Sequence, residues 1–175
     1  MSCGVLYFII GWSSFRKCDS LEVKEILNME REYKTLETEF YRYTGETLND
    51  IPDGKGRMEY LGDDYFFSYE GEFKEGKENG HGHQVTLDGT IDCSFVNGDP
   101  KGNGIYVFAN GDRYIGPIDG VPEGIGRIEY DNGDVFEGMF KGGFANGEGT
   151  MTYLDGTVQK GIFSEHECIE EMEKK

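Results

Sequence analysis

"GKGRMEY" at residues 54–60 and "GIGRIEY" at residues 124–130 agree at five of seven positions and stand 70 residues apart. Either a glycine loop made for a phosphate occurs twice, or a structural unit recurs, and the residues between the copies decide. The pairs Gly54/Gly56, Gly80/Gly82, Gly102/Gly104, Gly124/Gly126 and Gly147/Gly149 step by 26, 22, 22 and 23 residues, a period near 22. A second series, "YTGE", "YEGEF", "IDCSF", "YIGPI" and "FEGMF", precedes the first glycine of each pair by nine residues, or by eight in the fourth unit. A third, "LDG", "ANG", "DNG" and "LDG", closes the units. Five units and a trailing half, "TVQKGIF", fill residues 41–163, so the heptamers are marks on a ruler.

Alternation with period two sorts each unit onto two faces, as strands do. In "YEGEF", Tyr69, Gly71 and Phe73 share a face opposite Glu70 and Glu72; in "GIGRIEY", Gly124, Gly126, Ile128 and Tyr130 share one opposite Arg127 and Glu129. The Asn-Gly and Asp-Gly pairs between units predict type I′ hairpin turns. The longer connections within units carry Gly76, Gly98, Gly120 and Gly142, where a turn can also take positive φ. A glycine inside a strand leaves bare backbone over which a neighbouring aromatic can lie. The expected fold is mainly β: an elongated, single-layer antiparallel meander of roughly ten or eleven strands, on the order of 50 Å long. One face is then aromatic over glycine and the other charged.

This pattern resembles the membrane occupation and recognition nexus, or MORN, repeat, whose unit looks like "YEGEFKEGKENGHG" and "FEGMFKGGFANGEGTMTYLDG" here. The resemblance implies a sheet of hairpins that works as a scaffold or adaptor without catalysis. Such arrays occur in cytoskeletal, ciliary and junction proteins, in plant phosphatidylinositol phosphate kinases and in a SET-class methyltransferase. Several units depart from the pattern. Gln84 and Thr86 stand where other units place large apolar residues, Ile91 and Cys93 where Tyr and Gly belong, and Pro117 inside a strand predicts a bulge. The insertion "GDDYFFSY" adds Tyr65, Phe66 and Phe67, which the repeat does not explain.

Outside the array, residues 19–40 predict an N-terminal α-helix. Asp19 and Glu22 form a capping box, and Ile26, Met29, Tyr33, Leu36 and Phe40 make one narrow seam. That seam is expected to cover the aromatic face or the first sheet edge, or else to form a short coiled coil. Residues 164–175 read as an acidic tail, helical or frayed. Residues 1–18 contain an apolar stretch that looks like a signal-peptide core. Nothing basic precedes it, however, and it is shorter than the roughly 20 residues of a membrane span. A buried segment, or an extension of a chain starting at Met29, is the plainer expectation.

Composition narrows the function. The 175 residues carry a net charge of −17, spread along the chain: residues 41–163 hold 22 acidic and 10 basic side chains, a net of −12. That surface repels nucleic acid and disfavours contact with anionic lipid. Cys3, Cys18, Cys93 and Cys168 have no CxxC spacing, which fits reduced thiols in the cytoplasm. "GEFKEGKE" at 71–78 nearly matches a phosphate loop, but Glu78 follows Lys77 where Ser or Thr would hold magnesium. His81 and His83 share a strand face as metal ligands do. With the turn at Asp88-Gly89, Cys93 stands opposite Gln84 and faces away, which leaves exposed histidines beside Glu70 or Glu72.

No catalytic residue, metal or cofactor is expected. The expected partner is the helix or extended segment of another protein, held by Tyr106, Phe108, Tyr114, Tyr130, Phe136, Phe140 and Tyr153 where the array is most regular. Cytoplasmic placement at a cytoskeletal or ciliary structure follows from the resemblance. A peripheral phospholipid-associated protein and a regulatory subunit of a separate enzyme are the alternatives.

Overall fold

A computed structural model describes residues 30–62 and 67–172. The apolar start, the Asp19 to Met29 part of the expected helix, Cys3, Cys18, Tyr65 and Phe66 lie outside the described residues. All regular structure among the described residues is β. The strands are β1 Glu32–Glu37, β2 Tyr41–Leu48, β3 Ile51–Tyr60, β4 Phe67–Lys74, β5 Lys77–Thr86, β6 Gly89–Val96 and β7 Asp99–Phe108. They continue with β8 Arg113–Asp119, β9 Val121–Pro122, β10 Gly124–Glu129, β11 Val135–Lys141, β12 Phe144–Thr152, β13 Val158–Ser164 and β14 Glu167–Glu171. They form one sheet in chain order, antiparallel throughout, with the two-residue β9 paired only to β8. The meander is as the sequence predicts, and its thirteen-strand path spans about 60 Å.

Eleven strands of that path belong to the repeats; β1 and β14 extend it at either end. Both correct the sequence reading. Residues 32–37 form no helix: they pair with β2, placing Leu36 opposite Tyr43, while Tyr33 and Phe40 remain exposed. Spacing of three and four scatters a strand's residues over both faces, and the unpaired backbone of β2 decides for pairing. The expected acidic tail likewise supplies β14, with Cys168 opposite Phe163.

The second glycine of each pair lies beneath a ring from the preceding strand. A Cβ on Gly56, Gly82, Gly126 or Gly149 would stand 2.2–2.5 Å from the nearest atom of Tyr43, Tyr69, Tyr114 or Phe136 respectively. The tyrosine hydroxyls then reach their own strands' carbonyls, Tyr43 to Glu46 at 2.6 Å, Tyr69 to Glu72 at 3.2 Å and Tyr114 to Pro117 at 2.8 Å. In unit three, Cys93 Cβ covers Gly104 instead. Rings interleave edge to face between units: Tyr43 with Phe73, Tyr69 with Phe95, Tyr114 with Phe140 and Phe136 with Phe163, centroids 4.7–5.0 Å apart.

The first glycine of each pair has another task. Between Gly45↔Gly56 and Thr47↔Pro52 the first strand advances two residues and the second four, and the same excess recurs in units two, three and five. The surplus contains Gly54, Gly80, Gly102 and Gly147, all at positive φ from 85° to 119°. In unit four the partner strand breaks into β9 and β10 instead, and the Glu123 N–H bonds the Pro117 carbonyl. The irregularity expected at Pro117 therefore falls on its neighbour, while Pro117 keeps register with Asn103.

These bulges fold the hairpin tips back over the aromatic face. Tyr60 lies at the loop end of β3, in a row that meets β5 near Thr86, yet its hydroxyl donates to Glu78 Oε1 at 3.1 Å near the far end of β5. A flat ladder would separate these positions by roughly 25 Å. Each folded tip is tied to the one before it: the N–H of Gly76, Gly98, Gly120, Gly143 and His166 donates to the carbonyl of Pro52, Glu78, Pro100, Pro122 and Ala145. The sheet thus supplies its own cover, and Tyr43, Tyr69, Tyr114, Phe136, Phe140 and Phe163 are fully buried.

Gly76, Gly98, Gly120 and Gly142 take the positive φ expected of them, but the type I′ turns do not lie between units as the sequence predicts. Type I′ geometry, with two successive positive φ values, belongs to the tips: Asn49-Asp50, Glu75-Gly76, Asn97-Gly98, Gly142-Gly143 and Glu165-His166. Between units, Asn110 and Asn132 precede single positive-φ glycines. The N–H of Gly111 and Gly133 bonds the carbonyl three residues back, a three-residue loop ending in a glycine bulge. Asp112 and Asp134 then tie successive loops, accepting at 2.9 and 2.8 Å from the N–H of Asp131 and Leu154. Asp112→Ala and Asp134→Ala should each lower unfolding free energy by about 1 kcal/mol, because those N–H groups return to water. Urea denaturation checks this, and midpoints equal to the parent chain's would contradict it.

Candidate functional site

Where a second strand meets the following loop, each unit but one places an aromatic residue: Tyr60, Phe108, Tyr130 and Tyr153, with Thr86 in unit two. Three of them are fastened by a hydroxyl. Tyr60 bonds Glu78, Tyr130 Oη lies 2.8 Å from His166 Nδ1, and Tyr153 donates to Gln159 Oε1 at 2.7 Å. Phe108 has no hydroxyl. It stacks on Tyr106 with centroids 4.2 Å apart and planes 12° from parallel. Beside this pair opens a cleft of about 480 Å³, with Ile128 also in its lining.

The opposite wall is a hairpin tip without side chains of its own, Gly142-Gly143, followed by Phe144, whose ring is 5.5 Å from that of His166. Phe144 is 49% exposed, and it is the one aromatic at this position, where the other repeat units carry Ile51, Lys77, Asp99 and Val121. Asp88 and Asp112 are the lining's acidic residues. Burial lowers the pKa of His166, partly offset by Asp112, so a neutral ring can accept the Tyr130 hydroxyl at Nδ1. Burial, with help from Asp112 and Asp134, pushes Tyr130 up to about 12, which keeps that hydroxyl a donor.

The seven sequence-predicted residues divide accordingly. Tyr106 and Phe108 form one wall, and Tyr130 anchors His166 at the other. Tyr153 is partly exposed but outside the cleft. Tyr114, Phe136 and Phe140 are core residues with no surface to offer a partner. The sequence reading missed Phe144, His166, Asp88 and Asp112. The tip "KGGF", against "KEGK" in unit two, was the legible signal for Phe144; His166 arrives only because β14 turns back.

The other face is less uniformly charged than expected. A row crosses it from Thr44 through Arg57, Glu70, His83, Asp92, Ile105, Ile115, Arg127 and Glu137, and Ile115, Ile125 and Met139 are exposed there. A cleft of about 710 Å³ spans Thr44, Arg57, Glu70 and the two histidines. His81 Nε2 is 3.4 Å from Asp92 Oδ1, and His83 Nδ1 is 3.7 Å from Asp92 Oδ2. The turn falls at Leu87-Asp88, so Cys93 stands opposite Gly82 rather than Gln84, still facing away from the histidines. Among the described residues no three His, Cys, Asp or Glu side chains are grouped to hold a metal ion. The near phosphate loop is the β4–β5 hairpin, with Glu75-Gly76 as its turn.

Bulged hairpins, ring-covered glycines and folded tips recurring in phase define a single-layer β-repeat protein. The MORN repeat profile matches residues 43–60, 69–91, 94–113, 118–135 and 136–158, more than half of the chain, and the protein belongs to that family. A search of curated proteins found no match.

Because burial holds His166 neutral, its contribution to stability is complete above about 6.5, the unfolded value, and is lost as pH falls through the lower folded value. An NMR titration of the ring should give a midpoint below 6.5; a midpoint at or above it would contradict the buried, Tyr130-bonded ring.

Proposed function

We propose that the chain is a non-enzymatic adaptor whose array holds a segment of another protein. The observation that carries the reading is the open cleft beside Tyr106 and Phe108. Aromatic anchors on a rigid sheet bind at low entropic cost, and Phe144 offers a large ring to solvent where no other repeat unit has one. MORN arrays commonly serve protein or membrane interaction. The net charge of −17 favours a protein partner over an anionic bilayer. A cytoplasmic scaffold at a cytoskeletal or ciliary structure is the setting in keeping with the family, and the partner itself is an enzyme if the chain is a regulatory subunit.

Affinity purification of the full chain, alongside Phe144→Ser on the aromatic face and Ile125→Glu on the other, tests the reading. A partner recovered in stoichiometric amount should be reduced about tenfold by one of these variants while circular dichroism stays that of the parent. Phosphatidylserine vesicles should leave the chain in the supernatant. Pelleting with such vesicles, with no protein recovered in a variant-sensitive way, would overturn the adaptor reading in favour of a peripheral membrane protein.

A further inference from the structure

The cleft beside Phe108 is where several features peculiar to single units meet. Phe108 lacks the hydroxyl that fastens Tyr60, Tyr130 and Tyr153. The tip facing it is Gly142-Gly143, with no side chain to fill the space. The residue after that tip is Phe144, a half-exposed ring where the other repeat units carry Ile51, Lys77, Asp99 and Val121. Each feature alone is a tolerated substitution. Together they line an aromatic-walled space.

The chemistry of the lining selects its occupant. Phe108 and Phe144 present ring surface, with the largely buried Tyr106 stacked on Phe108, and burial lowers the pKa of His166, so near neutral pH no cation sits in the wall to repel another. At the rim, among the described residues, Asp112 accepts only from neutral donors, the Asn110 amide at 2.8 Å and the Asp131 N–H at 2.9 Å. Asp88 has no cation within ion-pair distance among the described residues, and its carboxylate plays no part in the hydrogen bonds of its turn, which run through Thr86. Aromatic faces beside two carboxylates attract a cation on an apolar stem. Guanidinium fits better than ammonium, being planar, weakly hydrated and able both to stack on a ring and to pair with a carboxylate through two N–H groups. An acidic chain also draws basic partners from a distance and repels acidic ones.

We propose that this cleft seats an arginine side chain of the partner protein, its guanidinium stacked against Phe108 and Phe144 and paired with Asp88. This rests on the adaptor reading and adds to it the partner's chemistry: a basic residue flanked by apolar ones.

The test is an NMR titration of the full chain with acetyl-Leu-Arg-Leu-amide and with the same peptide carrying citrulline, which keeps shape and removes charge. The arginine peptide should shift resonances of Phe108, Phe144 and His166 saturably, with citrulline at least about tenfold weaker. Asp88→Asn, at an exposed turn position outside the core, should weaken the arginine peptide several-fold and leave the citrulline peptide unchanged. Equal binding of the two peptides, no shift at these rings, or indifference to Asp88→Asn would overturn the proposal. If the arginine peptide is ignored while partner capture depends on Ile125, the arginine seat falls and the adaptor reading stands. If capture is also insensitive to both faces, both fall.

Discussion

The structure depends on one contact, an aromatic ring lying on the bare backbone of a glycine in the next strand. A single sheet has no second layer to bury its apolar face, and a chain of low hydrophobic content, 37%, has little material to build one. Letting the ring drop to the backbone removes most of its area from water without a facing layer. The hydroxyl then needs a partner at that depth and finds its own strand's carbonyl, as Tyr43, Tyr69 and Tyr114 do. At four tips a Phe, Phe73, Phe95, Phe140 or Phe163, packs edge-on against the ring of the unit before, which passes order from one repeat to the next, while Thr47 and Ile118 take this place in units one and four.

The first glycine completes what the second begins. Positive φ at the bulge bends the second strand so that the tip covers the rings, and tip-to-tip hydrogen bonds make the cover continuous. At the N-terminal end Arg31 performs the matching task, with Nε and Nη2 2.9 and 2.6 Å from the buried Asp53 carboxylate at the first tip. Because the fold closes its own aromatic face, ring surface on that face opens where a cover residue is absent. Unit three and the bare tip of unit five make such a place without disturbing the glycines.

Strand positions and faces were legible because period-two alternation and the glycine pairs are local properties, repeated five times in phase. The turns were not, because an Asn-Gly pair permits both a two-residue I′ turn and a three-residue loop with a glycine bulge. The loop length is set by where the neighbouring strand ends. Tyr33 and Leu36 carried a helical spacing that an open sheet edge overrode, which sequence near residue 33 cannot announce. For the site, Tyr106 and Phe108 were found from the ruler, whereas Tyr114, Phe136 and Phe140 were indistinguishable from them by sequence. Only the folded tips decide which rings are covered. His166 and Asp88 reach the cleft from different parts of the chain, and no local pattern joins them.

Gly82 is glycine because Tyr69 lies on it, for its φ is ordinary and its would-be Cβ meets Tyr69 at 2.2–2.4 Å. The most direct measurement is a double-mutant cycle by urea denaturation with Gly82→Ala and Tyr69→Ile, the latter borrowing the residue that unit three already uses at Ile91. Alone, Gly82→Ala should cost about 1–3 kcal/mol through overpacking. In the Tyr69→Ile background most of that cost should vanish, a coupling of about 1 kcal/mol or more. Additive effects, equal to within roughly 0.5 kcal/mol in the two backgrounds, would contradict the ring-on-glycine contact as the basis of the fold.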